Sequence, residues 1–126
     1  MDNHALYREE ILEHYRHPQN FGKLKNNSRS ARVLNPLCGD EIFLQITFDK
    51  KGKVKEIKFS GSGCALSIAS ASLFTEYLRG KTRQALKNIP AHKPERLLAV
   101  SVGAARKKCV QLPHAALKKL LTRKHD

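Results

Sequence analysis

The 126-residue chain has no tryptophan and one methionine, and only 6% of its residues are aromatic. It also has no apolar run long enough to cross a bilayer. The first ten residues carry Asp2, Glu9 and Glu10, whereas a secretory signal is basic and then apolar. Only three cysteines are present, and an odd count without an export signal argues against a disulfide framework. We therefore expect a cytoplasmic protein that makes no membrane contact and whose cysteines serve metal binding, catalysis or packing.

Acidic residues are scarce in the last third of the chain. Residues 1–78 hold 11 basic and 9 acidic side chains, whereas residues 79–126 hold 13 basic and only 2 acidic ones. Such a surface should attract an acidic partner, and nucleic acid is the generic example, although a solvated basic surface without a partner is at least as common. The length fits a single domain over residues 1–126, with 40% hydrophobic residues to form its core.

Hydrophobic periodicity predicts helices at both ends of the chain and a small sheet near its middle. Alternation of period two predicts strands, and spacings of three and four predict helices. The predicted strands are 31–35, 41–49 and 54–60, the last two joined as an antiparallel hairpin. The predicted helices are 6–15, 65–79, 82–86, 94–98 and 112–121. The pattern leaves residues 99–105 undecided between helix and loop.

Two cysteines lie in turns that the hairpin would bring together. Cys38 is in the turn that enters one strand, and Cys64 is in the turn that leaves its partner, so both should lie at the same end of the sheet. Cys64 follows Gly61 and Gly63 and begins a helix, where unpaired amides and the helix dipole favour a thiolate. For one such cysteine taken alone, a buried packing role is the commoner explanation.

The third cysteine follows three basic residues in the sequence. Arg106, Lys107 and Lys108 come directly before Cys109, and a helix that tolerates Pro113 in its first turn follows. We expect Cys109 to be exposed at the start of that helix, with the three cations favouring its thiolate. Cys109 is therefore a candidate metal ligand and sulfur acceptor, and Lys108 a candidate for supporting the thiolate.

Four segments of the sequence resemble the U-type iron-sulfur cluster assembly scaffolds, which comprise IscU, SufU and the N-terminal domain of NifU. They cover nearly the whole chain in the right order: residues 7–15 with Pro18, Asn20 and Gly22, Asn-Pro-Leu-Cys-Gly-Asp at 35–40, Gly-Ser-Gly-Cys-Ala-Leu-Ser at 61–67, and Lys108-Cys109. The resemblance implies an α+β fold with a small antiparallel sheet of about three strands and helices packed on it. It also implies that Cys38, Asp40, Cys64 and Cys109 converge on one exposed site.

The same resemblance implies a function for that site. A U-type scaffold accepts sulfur from a cysteine desulfurase, holds Zn²⁺ as isolated or a transient [2Fe-2S] cluster or iron, and passes the cluster to apo iron-sulfur proteins. Such a protein serves as a non-enzymatic scaffold and sulfur acceptor more than as a true enzyme. We expect it to be a monomer or a weak dimer. The chemistry agrees, because three thiolates and one carboxylate can complete a tetrahedron around zinc and thiolates bind iron-sulfur clusters. Asp40, the one hard ligand, is a candidate for cluster release, although a turn-forming Asp explains it equally well without the family.

Three departures leave the branch of the family open. Lys108 stands where IscU has a histidine, and a basic residue there resembles SufU. The 44 residues between Cys64 and Cys109, however, leave no room for the insertion of SufU chains. Ser101-Val102-Gly103 replaces the chaperone-binding motif of IscU. A zinc-dependent sulfurtransferase of the SufU type is therefore an alternative to the scaffold. The excess of basic residues supports a second alternative, a basic nucleic-acid-binding module on the same fold.

Overall fold

Alternating apolar residues on three short strands create the sheet face on which the helices pack. The computed structural model describes residues 3–25, 28–37 and 39–122, and only the backbone of residues 3–8. Its elements in chain order are α1 (Asn3–Arg16), β1 (Arg29–Leu34), β2 (Glu41–Phe48), β3 (Val54–Ser62), α2 (Ala65–Leu78), α3 (Arg83–Lys87), α4 (Lys93–Leu98), α5 (Ala104–Val110) and α6 (Leu112–Thr122).

The three strands form an antiparallel sheet in the order β1-β2-β3. Every second residue of β2, namely Ile42, Leu44 and Ile46, is buried against the helices, as period-two alternation predicts. Leu34 pairs with Glu41 across β1 and β2, and Glu41 pairs with Ser62 across β2 and β3. The loop of residues 35–40 and the end of β3 therefore lie at the same end of the sheet.

Helix α2 runs through the centre of the molecule, in contact with the sheet and with four other helices. Its residues Ala69, Ser70, Ala71 and Ser72 are completely buried. Small side chains at these positions let neighbouring backbones approach closely, and Ser70 donates its hydroxyl hydrogen bond to the Val110 carbonyl at 2.6 Å. α6 covers the neighbouring part of the sheet by packing on β1 and β2.

The segment after α1 closes the free edge of β3. Gly22 N–H donates to the Phe59 carbonyl at 2.8 Å, and Phe59 N–H donates to the Asn20 carbonyl at 2.9 Å. The segment is also tied to α2, because the Asn20 side-chain amide donates to Thr75 Oγ1 at 3.0 Å and Gln19 N–H donates to Ser72 Oγ at 2.8 Å. Edge groups that would otherwise be free to pair with another chain are thereby used at this point.

The predicted fold class, α+β with a small three-stranded antiparallel sheet, is confirmed. Thr82 caps α3 as expected, with its side chain accepting from the Ala85 amide at 3.1 Å. The undecided stretch 99–105 is loop until α5 begins at Ala104. Tyr15, expected on the packed stripe of α1, is 43% exposed, and the Tyr7 side chain lies outside the described residues. No helix in the described part of the chain is both long and apolar enough to span a bilayer.

Candidate metal site

Hydrogen bonds among the described residues of the loop that joins β1 to β2, residues 35–37 and 39–40, hold these residues together. Asn35 N–H donates to the Asp40 carbonyl at 2.8 Å, and Gly39 N–H donates to the Asn35 carbonyl at 2.7 Å. The Asn35 side-chain oxygen accepts from Leu37 N–H at 3.1 Å, the usual way in which Asn initiates a turn. Gly39 has φ of 76°, a left-handed conformation that glycine adopts without strain.

Cys64 is the N-cap residue of α2, as the sequence predicted. Its carbonyl accepts from Ile68 N–H at 3.1 Å and from the Ser67 hydroxyl at 3.1 Å. Its side chain makes no capping hydrogen bond and is exposed, so the thiol lies at the surface beside the free amides of the first helical turn. The backbone N–H of Cys64 donates to Asp40 Oδ2 at 3.4 Å, which joins the end of β3 to the 35–40 loop.

The glycines before Cys64 allow this close approach. Gly61 has φ of 139°, and a Cβ there would collide with the backbone carbonyl of Glu41 on the paired strand. A Cβ on Gly63 would contact Ser67 Oγ and would lie 3.3 Å from Asp40 Oδ2. Glycine at these two positions is therefore what lets β3 and the Cys64 turn lie against β2 and the Asp40 carboxylate.

Cys109 is placed differently from the prediction. It lies in the last turn of α5, three residues before α6 begins, because α5 runs on through Val110. The predicted helix N-terminus at Cys109 is therefore wrong, and the dipole of α5 disfavours a negative charge there. The residue is only 6% exposed, so the expectation of an exposed sulfur is also wrong. The helix was missed because residues 104–108 carry small and basic side chains without an apolar stripe.

The three cations before Cys109 remain at the surface. Arg106, Lys107 and Lys108 are all exposed on α5, whereas Cys109 faces inward towards the 35–40 loop. The Asn35 side-chain amide donates to Cys109 Sγ at 3.5 Å, a normal distance for the larger sulfur acceptor. The contact between Asn35 and the thiol thus replaces the predicted arrangement in which the cations surround it, and the support of the thiolate by Lys108 stays a prediction.

The structure brings two of the predicted ligands into direct contact and ties a third to the same loop through Asn35. Asp40 contacts Cys64, and Asn35, at the other end of the same loop, contacts Cys109. Cys38 lies outside the described residues. Within residues 3–25, 28–37 and 39–122, no group of three or more His, Cys, Asp and Glu side chains is arranged to hold a metal ion. The complete set of four ligands therefore stays a prediction.

The chemistry of the described donors fits a thiophilic metal ion. Asp40 is 6% exposed, and the structure shows no ion pair to its carboxylate among the described residues, whereas the neighbouring Glu41 pairs with Arg32 at 3.5 Å. A buried carboxylate without a cationic partner is unfavourable unless hydrogen bonds or a metal compensate its charge. The exposed Cys64 thiol belongs to the residue whose backbone amide contacts this carboxylate, and zinc and iron bind thiolate and carboxylate together.

Comparison with known proteins assigns the family. The model of the NifU-like N-terminal domain matches residues 6–123. The chain belongs to the NifU-like N-terminal domain family. The predicted resemblance is thus confirmed, and the two motifs that carried it, at 35–40 and 61–67, are the two segments that meet at the Asp40–Cys64 contact.

Relatives from both branches of the NifU-like family are similar to the chain. It is 38% identical over 123 residues to the iron-sulfur cluster assembly enzyme IscU of Drosophila melanogaster, which covers 93% of this chain and 77% of that protein. It is 44% identical over 77 residues to the zinc-dependent sulfurtransferase SufU of Bacillus subtilis, which covers 61% of this chain and 51% of that protein. A solved structure, a candidate cluster assembly scaffold for the SUF system of Fervidobacterium islandicum, superposes with a TM-score of 0.78 at 29% identity, covering 96% and 100% of the two chains.

The contacts of Asn35 and Ser67 in this NifU-like site were not predicted from the sequence. Both are buried, Asn35 beside Cys109 and Ser67 beneath the Cys64 carbonyl. Asn35 immediately precedes a proline and comes three residues before a cysteine, which could have indicated a side chain that caps the cysteine loop. Its contact with Cys109, 74 residues away in the chain, could be found only from the structure.

Proposed function

We propose that this protein is an iron-sulfur cluster assembly scaffold that binds Zn²⁺, iron or a transient [2Fe-2S] cluster through Cys38, Asp40, Cys64 and Cys109. The observation that supports it most is the contact between the Cys64 amide and the Asp40 carboxylate at 3.4 Å, with Cys109 tied to the same loop through Asn35. Cys38 belongs to that loop in sequence and would contribute the third thiolate. A bound metal ion would neutralise the charge of the ligand thiolates and of the buried carboxylate.

The sulfur that the scaffold receives would come from a cysteine desulfurase. A thiolate of this chain attacks the outer sulfur of the persulfide on the desulfurase cysteine, and a new sulfur–sulfur bond forms as the old one breaks. The desulfurase cysteine leaves as a thiolate, and the outer sulfur with its proton is now carried by this chain. No external oxidant or reductant is needed for this exchange.

The thiol that receives the sulfur must be reachable. Cys64 is exposed at the start of α2, whereas Cys109 is 6% exposed behind the 35–40 loop. Cys109 stays our candidate acceptor only if its contact with Asn35 opens when the desulfurase docks. Detection of the persulfide by mass spectrometry in Cys64→Ser and Cys109→Ser variants separates these two routes.

Partners, location and oligomeric form complete the proposal. The partners would be a cysteine desulfurase and apo iron-sulfur proteins, the location the cytoplasm, and the form a monomer or weak dimer. The similarity to the zinc-dependent sulfurtransferase SufU supports a second candidate, in which bound zinc is permanent and the protein only carries sulfur. Lys108 is exposed directly before Cys109, and a basic residue at this position resembles the SufU branch, so it favours this candidate.

The test is metal analysis and spectroscopy of protein purified without oxygen. We expect about one Zn²⁺ per chain as isolated, since three thiolates and a carboxylate complete one tetrahedral site. Reconstitution with iron and sulfide should then give a visible-absorbing cluster if the protein is a scaffold, or leave zinc in place if it is a sulfurtransferase. Both outcomes should be lost in Cys64→Ser but retained in Ser101→Ala, a control that replaces an exposed loop residue with no described contact to the site.

A folded protein that contains no metal and stays colourless after both treatments would overturn the proposal. Circular dichroism of each variant is needed beside the metal analysis, because loss of metal through unfolding carries no information about ligation. Retention of full zinc content by Cys64→Ser would remove this residue from the ligand set.

A further inference from the structure

Asn35 is a buried polar residue that lies outside the proposed ligand set. It is 5% exposed, and both of its backbone groups and both ends of its side chain make hydrogen bonds within the described residues. Three of these bonds close the 35–40 loop: to the Asp40 carbonyl, from Gly39 N–H and from Leu37 N–H. The fourth leaves the loop and reaches Cys109 Sγ at 3.5 Å.

The fourth bond is not needed to close the loop. The turn requires only the side-chain oxygen of Asn35, which Asp or Ser could also supply. Donation to sulfur requires an N–H at the other end of the side chain, which among residues of this size Asn provides and Asp does not. Because the site is buried, this donor and the sulfur have little access to water, so the bond is stronger than it would be at the surface.

A donor to a ligand sulfur has two physical effects. It fixes the side-chain torsion of the cysteine, so the sulfur is already oriented before a metal ion arrives. It also withdraws electron density from the sulfur, which changes the energy of its bond to a metal. Asn35 makes this contact while it holds Leu37 and Gly39, the residues on either side of Cys38 in sequence.

We infer that Asn35 is a positioning residue that orients the Cys109 sulfur and, through the same side chain, sets the shape of the loop that carries Asp40. The inference rests on the proposed function, because it requires Cys109 to be a ligand. It assigns Asn35 no contact with the metal ion or the transferred sulfur.

The experiment separates the two ends of the side chain. Asn35→Ser keeps an oxygen that can accept from Leu37 N–H but is too short to reach Cys109, whereas Asn35→Ala removes both contacts. Co²⁺ is the probe, because its thiolate-to-metal absorption band reports on sulfur, and Zn²⁺ competition gives relative affinities. Hydrogen exchange of the Leu37 amide in metal-free protein reports on the loop. Asn88→Ser, at an exposed helix end, is the matched control.

We expect Asn35→Ser to keep the Leu37 amide protected, to lower metal affinity about tenfold and to move the thiolate band to longer wavelength. Asn35→Ala should show the same changes together with a loss of protection at Leu37. A residue that only closes the loop would instead give parent affinity and parent spectrum in the Ser variant, and that result would overturn the inference.

A second variant tests the inference if the Leu37 amide loses its protection from hydrogen exchange in Asn35→Ser. Asn35→Asp has the same shape and the same acceptor oxygen, but an oxygen replaces the N–H that faces sulfur. An unchanged thiolate band in this variant would also overturn the inference. If the parent protein itself binds neither Co²⁺ nor Zn²⁺, the proposed function fails and this inference fails with it. If the parent binds metal and the Asn35 variants bind it with the same affinity and spectrum, the inference fails and the proposed function stands.

Discussion

Asp40 is the residue whose two properties, burial and charge, most need a functional explanation. The residue is 6% exposed, and its carboxylate accepts from the Cys64 amide at 3.4 Å and has no ion pair among the described residues. A carboxylate binds soft metals less firmly than thiolates do. We therefore expect the bond between the Asp40 carboxylate and the metal to be the first in the proposed ligand set to break when a cluster leaves.

Replacement of Asp40 should slow the transfer of a cluster to an acceptor protein and leave the fold intact. We expect Asp40→Ala to slow transfer about tenfold, which corresponds to about 1.4 kcal/mol in the activation free energy. The measurement is the rate at which a visible cluster appears on an apo acceptor. Asp40→Asn is the matched variant, because it can still accept from Cys64 N–H but carries no charge. Transfer at the parent rate in Asp40→Ala would contradict the release role. Slow transfer in Asp40→Ala together with the parent rate in Asp40→Asn would assign the effect to the hydrogen bond and not to the charge.

The chemical nature of the site could be predicted from the sequence, but its internal contacts could not. The Cys-Gly-Asp and Gly-Cys motifs identified the residues that contact each other at the end of the sheet, because hairpin pairing fixes which turns are neighbours. The burial of Cys109 and its contact with Asn35 depend on how α5 packs against a loop 74 residues earlier. Such packing is set by tertiary structure and leaves no periodic pattern in the sequence.

At the scale of elements, the strands and capped helices followed their local patterns closely. β2 was predicted to within one residue, and Thr82 was identified as the cap of α3. β3 continues to Ser62, two residues beyond its apolar alternation, because Gly61 can lie directly against the backbone of β2. α5 had no such signal, since it is a short helix with exposed basic residues, and short helices depend on tertiary contacts for their stability.

The turn between β2 and β3 offers a test of element stability that is independent of the metal site. Asp49 Oδ1 accepts from Lys51 N–H and from Lys53 N–H, each at 2.9 Å. The hydrogen bond from Lys53 is the largest cause that lowers the pKa of Asp49 from its ordinary value of 3.8, with the nearby lysine charges acting in the same direction. A lowered pKa in the folded state means that ionised Asp49 stabilises the fold above its ordinary pKa, and that this stabilisation is lost as pH falls through the lowered value.

Asp49→Asn should therefore be less stable than the parent at about pH 7, because the amide oxygen still accepts but the charge is gone. The difference in stability between parent and variant should shrink as the pH is lowered below 3.8 and should vanish once Asp49 is protonated in both states. Chemical denaturation at several pH values measures it, with Asp49→Ala as the variant that loses the acceptor as well. A difference that stays constant from neutral to acid pH would show that the charge of Asp49 does not stabilise the turn.

At the scale of the whole molecule, the candidate site and a strongly basic surface lie on the same side. α5 presents Arg106, Lys107 and Lys108 to solvent directly beside the helix turn that holds Cys109. On the neighbouring 35–40 loop, Leu37 is 82% exposed, which is unusual for a large apolar side chain. A partner that docks here would need both an apolar contact and an acidic surface, and we expect the desulfurase surface around its reactive cysteine to provide them.

The surface charges should act on the rate of encounter with the desulfurase more than on the chemistry of sulfur transfer. Opposite charges accelerate association, and salt screens exposed charges beyond roughly 10 Å at 0.1 M ionic strength. We therefore expect rising salt to slow persulfide transfer to this protein, and Lys107→Glu to reproduce that slowing at low salt. Lys55→Glu is the matched control, since Lys55 is also exposed but lies at the opposite end of β3 from Cys64.

The same titration distinguishes a desulfurase partner from nucleic acid. Protein that neutralises several phosphates loses affinity linearly in the logarithm of salt concentration, whatever the sequence of the nucleic acid. The basic surface should therefore be tested on one preparation with a desulfurase and with mixed RNA or duplex DNA. Our expectation is that Lys107→Glu slows association with the desulfurase while the rate of transfer within the complex stays the same, and that nucleic acid binds weakly at physiological salt. Tight binding of nucleic acid at that salt, together with a desulfurase whose activity does not respond to this protein, would instead make the basic last third a nucleic-acid surface and would contradict the scaffold function.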